Sequence, residues 1–143
     1  MMMDSAVIYP ANLAVDERLK KFILRFYAIS DDPSRNDEWV DCFAHDALFI
    51  IGQKTARGIH DIRRLRENMW EEVKSRKHRL DKVFPVRFEP PEGESEAPLE
   101  YMLHGSVDLE RKNGETTTTD WAARAILGDG KGALKYALYQ VYI

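Results

Sequence analysis

The chain has 143 residues, enough for one domain with a substantial core, and its 44% hydrophobic and 31% charged residues are the balance of a folded globular protein. A formal net charge of −3 argues against a nucleic-acid partner, and the single cysteine, Cys42, excludes an internal disulfide and a cysteine-paired zinc site. The opening MMMDSAVIYP lacks a basic stretch followed by a long apolar one, so it reads as a frayed start rather than a secretion signal, and no apolar run is long enough to span a bilayer. A reducing, cytoplasmic setting fits these features.

From residue 16 to residue 30, Leu19, Phe22, Ile23, Phe26 and Tyr27 recur at spacings of three and four, the stripe of an amphipathic helix with Asp16 or Glu17 at its positive end. SDDPSRND stops it, since Pro33 disfavours helix in the residue before it. NDEWVDCFA then predicts a second, short helix with Trp39, Val40 and Phe43 on one side. Residues 47–51 form a β-type run bounded by Gly52, followed by a short polar strand or turn ending at Gly58. A third helix over residues 60–74 carries Ile62, Leu65, Met69 and Val73 at helical spacing, with Trp70 beside Met69.

A strand over residues 76–88 follows; the basic run 74–82 reads as a solvated helix end leading into it. PPEGESEAP is an acidic, proline-rich loop. Strands over 99–111 and 115–127 flank Asn113-Gly114, which favours a two-residue hairpin turn because both loop residues need positive φ. That register sets Asp120 opposite Val107, Ala122 opposite Gly105 and Arg124 opposite Leu103. Asp120 and Arg124 then share the apolar face with Tyr101, Leu103, Val107, Leu109 and Ile126. His104, Ser106, Asp108, Glu110, Thr117, Thr119 and Trp121 fall on the other face, a surface or a subunit contact. The loop GDGKG leads to a last strand over 133–143, on which Tyr136, Leu138 and Gln140 face inward, since the alternate parity would bury Lys135. Three helices interleaved with a short hairpin, then four successive strands, give an α+β domain spanning residues 1–143, with helices on one side of a curved antiparallel sheet.

A carboxylate and a guanidinium on the core side of a sheet need a reason, because burying unpaired charge is expensive. Asp120 and Arg124 are four residues apart on one strand, ~13 Å, which argues against direct pairing. Asp120 is either a functional acid in a cavity or half of a buried ion pair. Arg124 either clamps a ligand oxygen or snorkels to the rim while its stem packs. His78 is a proton-transfer candidate or a backbone-bonding histidine. Tyr27, Trp39, Met69 and Trp70 are core residues that also become pocket walls if the sheet closes over a cavity. The four histidines, His45, His60, His78 and His104, show no ligand spacing, so no metal and no cofactor is expected.

FYAISDDPSRNDEWVDCFAHDALFIIG, GIHDIRRLRENMW, SRKH, HGSVDL, TDWAARA and YQVYI resemble the SnoaL-like branch of the nuclear-transport-factor-2-like superfamily, closest to small fungal SnoaL-like proteins, over nearly all of residues 16–143. The resemblance implies a cone of curved antiparallel sheet closed by three helices. It also implies a cofactor-independent isomerase, cyclase or dehydratase acting on a small polyketide- or terpenoid-like molecule, or a non-catalytic binding module of the same fold. Asp120 resembles the oxyanion-stabilising aspartate of the superfamily's ketosteroid isomerases. The chain departs from them with Ile51 at the general base and Phe26 at the helix-borne tyrosine. His78 resembles a cavity histidine of scytalone-dehydratase-like members. On this reading Asp120 and His78 are catalytic, and Tyr27, Trp70, Met69, Leu103, Arg124, Tyr136 and Gln140 bind substrate. The expected partners are a small-molecule ligand and a second copy docked through the outer sheet face, where Trp121 and Ala123 join His104 and Ser106. Neither nucleic acid nor membrane is expected.

Overall fold

The computed structural model describes residues 7–128 and 132–143; the start 1–6 and most of the loop GDGKG lie outside the described residues. The elements follow the order α1 (Glu17–Ser30), α2 (Asn36–Val40), β1 (Phe43–Ile51), β2 (Lys54–Arg57), α3 (Ile59–Met69), β3 (Val73–Val86), β4 (Leu99–Arg111), β5 (Thr116–Gly128) and β6 (Lys135–Tyr142). The six strands form one sheet in the order β2-β1-β6-β5-β4-β3. All neighbours are antiparallel except β1 and β6, which pair in parallel. The α+β class and the curved sheet closed by helices are therefore as the sequence implies, with one parallel pair added where the last strand docks beside the first. No helix among the described residues is long and apolar enough to cross a membrane.

Local chemistry accounts for the helix ends. The Asp16 carboxylate accepts from the Arg18 backbone N–H at 2.8 Å, satisfying an orphan donor of the first turn of α1. At the other end the Ser30 hydroxyl donates to the Phe26 carbonyl at 2.8 Å. The helix α3 stops at Met69 rather than running to residue 74. Glu71 and Glu72 would place two carboxylates at the negative end of the helix dipole, and the β-branched Val73 opens β3 instead, paired with Arg111. The basic run 74–82 consequently lies wholly on a strand, with Arg76, His78 and Leu80 on its inner face.

The hairpin between β4 and β5 corrects the expected register. Arg111 N–H donates to Glu115 at 2.8 Å and Gly114 N–H to the Arg111 carbonyl at 2.9 Å, while Gly114 sits at φ +96°. The loop thus has three residues, a turn closed by a left-handed glycine, a geometry that Asn-Gly serves as well as the two-residue turn. Asp120 now faces Ser106 and Arg124 faces Met102. A one-residue slip reverses every side chain of β5. Asp120, Ala122, Arg124 and Ile126 lie on the outer face, and Trp121, Ala123, Ala125 and Leu127 are buried inside. The placing of Asp120 and Arg124 on the core side is overturned, as is the placing of Trp121 and Ala123 on the outer face. On β4 the expected parity holds, with Tyr101, Leu103 and Val107 buried.

Two further irregularities shape the interior. The β5–β6 register shifts between Ile126 and Leu127, so Tyr136 and Tyr139 both point inward although three residues apart. Leu138 and Gln140 then fall on the outer side, contrary to the simple alternation expected of this strand. On β3 the register shifts between Leu80 and Lys82, next to Gly105. A Cβ on Gly105 would sit 2.1 Å from the Arg79 carbonyl oxygen, so only glycine lets the two backbones approach this closely. The core fills the concave side of the sheet, from Leu19, Ile23, Phe26 and Tyr27 of α1 through Trp39, Phe43 and Phe49 to Trp121, Tyr136 and Tyr139.

Candidate functional site

Two cavities share His78 and Trp121 as lining residues. One is an open groove of about 650 Å³ between the end of α1 and strands β3 to β5, bordered by Tyr27, Asp31, Leu80, Gly105, Ser106 and Asp120. The other is an inner chamber of about 90 Å³ lined by Phe26, Trp39, Phe49, Ile51, Met69, Val107, Leu109 and Val141, with Arg66 and Arg76 as its cationic part.

His78 is the polar centre of the groove. Its backbone N–H donates to both carboxylate oxygens of Asp31 at 3.1 Å, and its ring Nδ1 lies 2.5 Å from Asp31 Oδ1. A carboxylate only accepts, so the Nδ1 facing it carries the proton, and in the neutral ring Nε2 is the nitrogen with the lone pair. The ring is held between Tyr27 and Trp121, each with its centroid 5.4 Å away. Asp31 can do this because it caps the C-terminus of α1, a helix that packs against β3. Three contacts on one residue leave the imidazole little freedom to rotate.

Tyr27, beside it, belongs to a group of buried, neutral tyrosines. The Tyr27 and Tyr139 hydroxyls share a hydrogen bond of 2.7 Å, and those of Tyr101 and Tyr136 share another. Burial first, then the neighbouring phenols, pushes Tyr27 and Tyr136 well above the ordinary phenol range, and burial pushes Tyr101 and Tyr139 up as well.

The chamber's cations are stacked rather than paired with acids. Arg66, 1% exposed, donates to Asn36 Oδ1 at 2.8 Å and to the carbonyls of Ser30 and Ile29 at 3.0 and 3.4 Å. Its guanidinium lies 4.8 Å over Trp39 and 5.2 Å over Trp70, while that of Arg76 lies 4.7 Å over Trp70. Burial pulls Arg66 down to about 9, with the like charge of Arg76 adding to the effect, and pulls Arg76 down to about 10. Both remain cations at neutral pH.

Of the residues expected to form the site, the structure brings together His78, Tyr27 and Met69, with Asp120 bordering the groove from the exposed outer side. Trp70 supports Arg66 and Arg76 from behind. Leu103 and Tyr136 are buried in the core and border neither cavity, and Arg124 and Gln140 pair across strands on the outer face. His104 is exposed, its Nδ1 3.3 Å from Asp81. Sequence reasoning missed Asp31, Arg66, Arg76, Trp121 and Tyr139. Arg66 carried a signal, since it follows Ile62 by four residues on the apolar face of α3. Asp31 carried none, hidden among turn-forming residues.

No protein-family model and no curated protein matches the chain. Solved structures do. A protein from Catenulispora acidiphila in complex with S-DNPA is 22% identical over 87% of this chain and 89% of its own, with a TM-score of 0.68. A protein from Novosphingobium aromaticivorans, proposed to be a scytalone dehydratase, is 10% identical over 87% of this chain and 80% of its own, with a TM-score of 0.73. An NTF2-like protein of unknown function from Burkholderia pseudomallei is 10% identical over 90% and 92%, with a TM-score of 0.67. At these identities the likeness is one of fold. The chain has the NTF2-like fold, a cone of sheet closed by helices over a cavity.

Proposed function

We propose that this protein is a cofactor-independent enzyme of the isomerase, cyclase or dehydratase type, acting on a small, largely apolar, oxygenated molecule of polyketide or terpenoid character. The observation that carries the reading is the Asp31–His78 pair, its imidazole held by the carboxylate and lining both an open groove and a smaller, mostly apolar chamber. In this reading His78 Nε2 removes a proton from a carbon next to a carbonyl, and the C–H electron pair moves onto the carbonyl oxygen as an enolate. Return of the proton at another carbon isomerises the substrate, loss of a β-hydroxyl with that proton dehydrates it, and attack of the enolate carbon on an electrophile closes a ring. The Tyr27 ring packs beside His78 and helps to position the imidazole, its own hydroxyl being engaged with that of Tyr139. Asp120, at the groove's border, is a second candidate for proton transfer.

Exchange of carbon-bound protons in D₂O tests this without knowledge of the natural substrate. A panel of small aryl ketones and hydroxyketones is incubated with the protein and followed by ¹H NMR. His78→Asn is expected to slow exchange about 10² to 10⁴-fold, the ordinary contribution of a positioned acid–base group. Exchange unchanged by that substitution, or lost with Asp120→Asn instead, would remove His78 from the mechanism.

A non-catalytic binding module is the second reading, favoured by the small inner chamber and by Ile51 on its wall. A homodimer through the outer sheet face belongs to either reading. Support for it comes from Ala122, Ile126 and Leu138 on that face beside the exposed Met102. A sedimentation mass of one chain at micromolar concentration would discard it.

A further inference from the structure

We propose that the inner chamber takes a carboxylate, so that the ligand is an organic acid whose anionic head is held by Arg76 with Arg66 behind it. The inference rests on the reading above only in taking this cavity as the place where the ligand sits. It begins with two buried cations that no acid among the described residues contacts directly. Every hydrogen-bond acceptor around Arg66 is a neutral oxygen, from Asn36, Ile29 and Ser30. Arg76 donates through Nη2 to the Met69 carbonyl at 3.2 Å, while its Nη1 is sealed from water with no partner among the described residues. Asp31 is the carboxylate whose charge both guanidiniums feel, and its oxygens are taken by His78; Asp32, also felt by Arg66, accepts from Ser34. Arg111 adds a third positive charge near Arg76. A buried donor left unmade and a surplus of positive charge both disfavour an empty or ketone-filled chamber and favour an anion.

Shape narrows the class. A guanidinium offers two parallel N–H groups that match a carboxylate. Stacking on Trp70 fixes the plane of the Arg76 guanidinium where it lines the chamber. Phe49, Ile51, Val107, Leu109 and Val141 among the remaining walls are apolar, and the hydroxyls of Ser30 and Tyr139 are engaged with Phe26, Trp39 and Tyr27. The chamber, at about 90 Å³, is smaller than the ~150 Å³ cavity that accommodates benzene, so it holds the carboxylate and a few carbons. A longer or ring-bearing body then extends past His78 and Trp121 into the groove of about 650 Å³. The carbons adjoining the carboxylate end are thereby carried to the imidazole. The Trp121 indole N–H is likewise buried without a partner among the described residues. The substrate class becomes an oxygenated carboxylic acid rather than a neutral ketone.

Titration calorimetry with 3-phenylpropanoate and its amide, matched in shape and differing in charge, tests the inference. The acid is expected to bind at least 10-fold tighter than the amide to the wild-type protein. Arg76→Met, which keeps the stem and removes the charge, is expected to erase that preference, and Arg76→Lys to retain part of it. Equal binding of acid and amide, or of neither, to the wild-type protein overturns the proposal, and this comparison stands even if a variant fails to fold. In His78→Asn, whose side chain borders both cavities, the preference for acid over amide, rather than the absolute affinity, is expected to be kept. Loss of proton exchange with binding kept separates the catalytic reading from this one, and binding without any exchange in the wild type would remove the catalytic reading alone.

Discussion

At the scale of single residues the site is governed by one acceptor. Asp31 receives the backbone N–H and the ring Nδ1 of His78, so it sets both where the imidazole sits and which nitrogen is free. Asp31→Asn keeps the shape but can turn its NH₂ toward Nδ1, which then accepts and leaves the proton on Nε2. Proton exchange is expected to fall about 10²-fold while acid binding is kept or tightened, since a negative charge near Arg66 and Arg76 is removed, a split that a merely structural role would not produce. Cys42 offers a second residue-scale test. Burial pushes its thiol up to about 11, the nearby Arg25 opposing only in part. Labelling of the native protein by a thiol reagent at pH 8 should therefore be slow and should accelerate sharply in denaturant.

Among the elements, the curvature of the sheet depends on the approach of β3 to β4. Gly105→Ala forces a methyl group against the Arg79 carbonyl at a place where backbone, not a flexible side chain, would have to move. A destabilisation of about 2 kcal/mol or more is expected from chemical denaturation. Because Leu80 and Trp121 flank that glycine across the sheet, the groove should distort with it. The same scale shows how far the element boundaries were legible. The stripe of α1, the strand over 99–111 and the order of helices and strands follow from periodicity alone. The faces of β5 and β6 did not, because each depends on a single residue. A three-residue loop in place of two inverted β5, and one bulge carried Tyr139 inward and Gln140 outward.

For the whole molecule, four buried tyrosines couple the core to pH. Tyr27, Tyr101, Tyr136 and Tyr139 all have folded-state pKa values raised by burial, above the unfolded value near 10. Each raised group contributes stability that is complete below about pH 10 and is lost as the pH climbs toward the folded value. Phenolate absorbance at 295 nm should accordingly rise for these four residues in one cooperative step that coincides with loss of secondary structure. Independent titration of all the tyrosines near pH 10 in a protein that stays folded would contradict this description of the core.

The sequence by itself determined the class of fold, since apolar residues at period 3.6 and period 2 can be buried in few ways, and it brought Tyr27, Met69 and His78 forward as candidates. It could not determine which charged side chains face the cavity. Asp120 and Arg124 were drawn inward by a turn that admits two loop lengths, while Arg66 and Arg76 looked like surface charge on a helix and in a basic run. The tertiary structure decided these matters because the facing of a strand is a property of its pairing. The partner that orients the His78 ring, Asp31, lies 47 residues away in the chain and reaches it only when the end of α1 folds against β3.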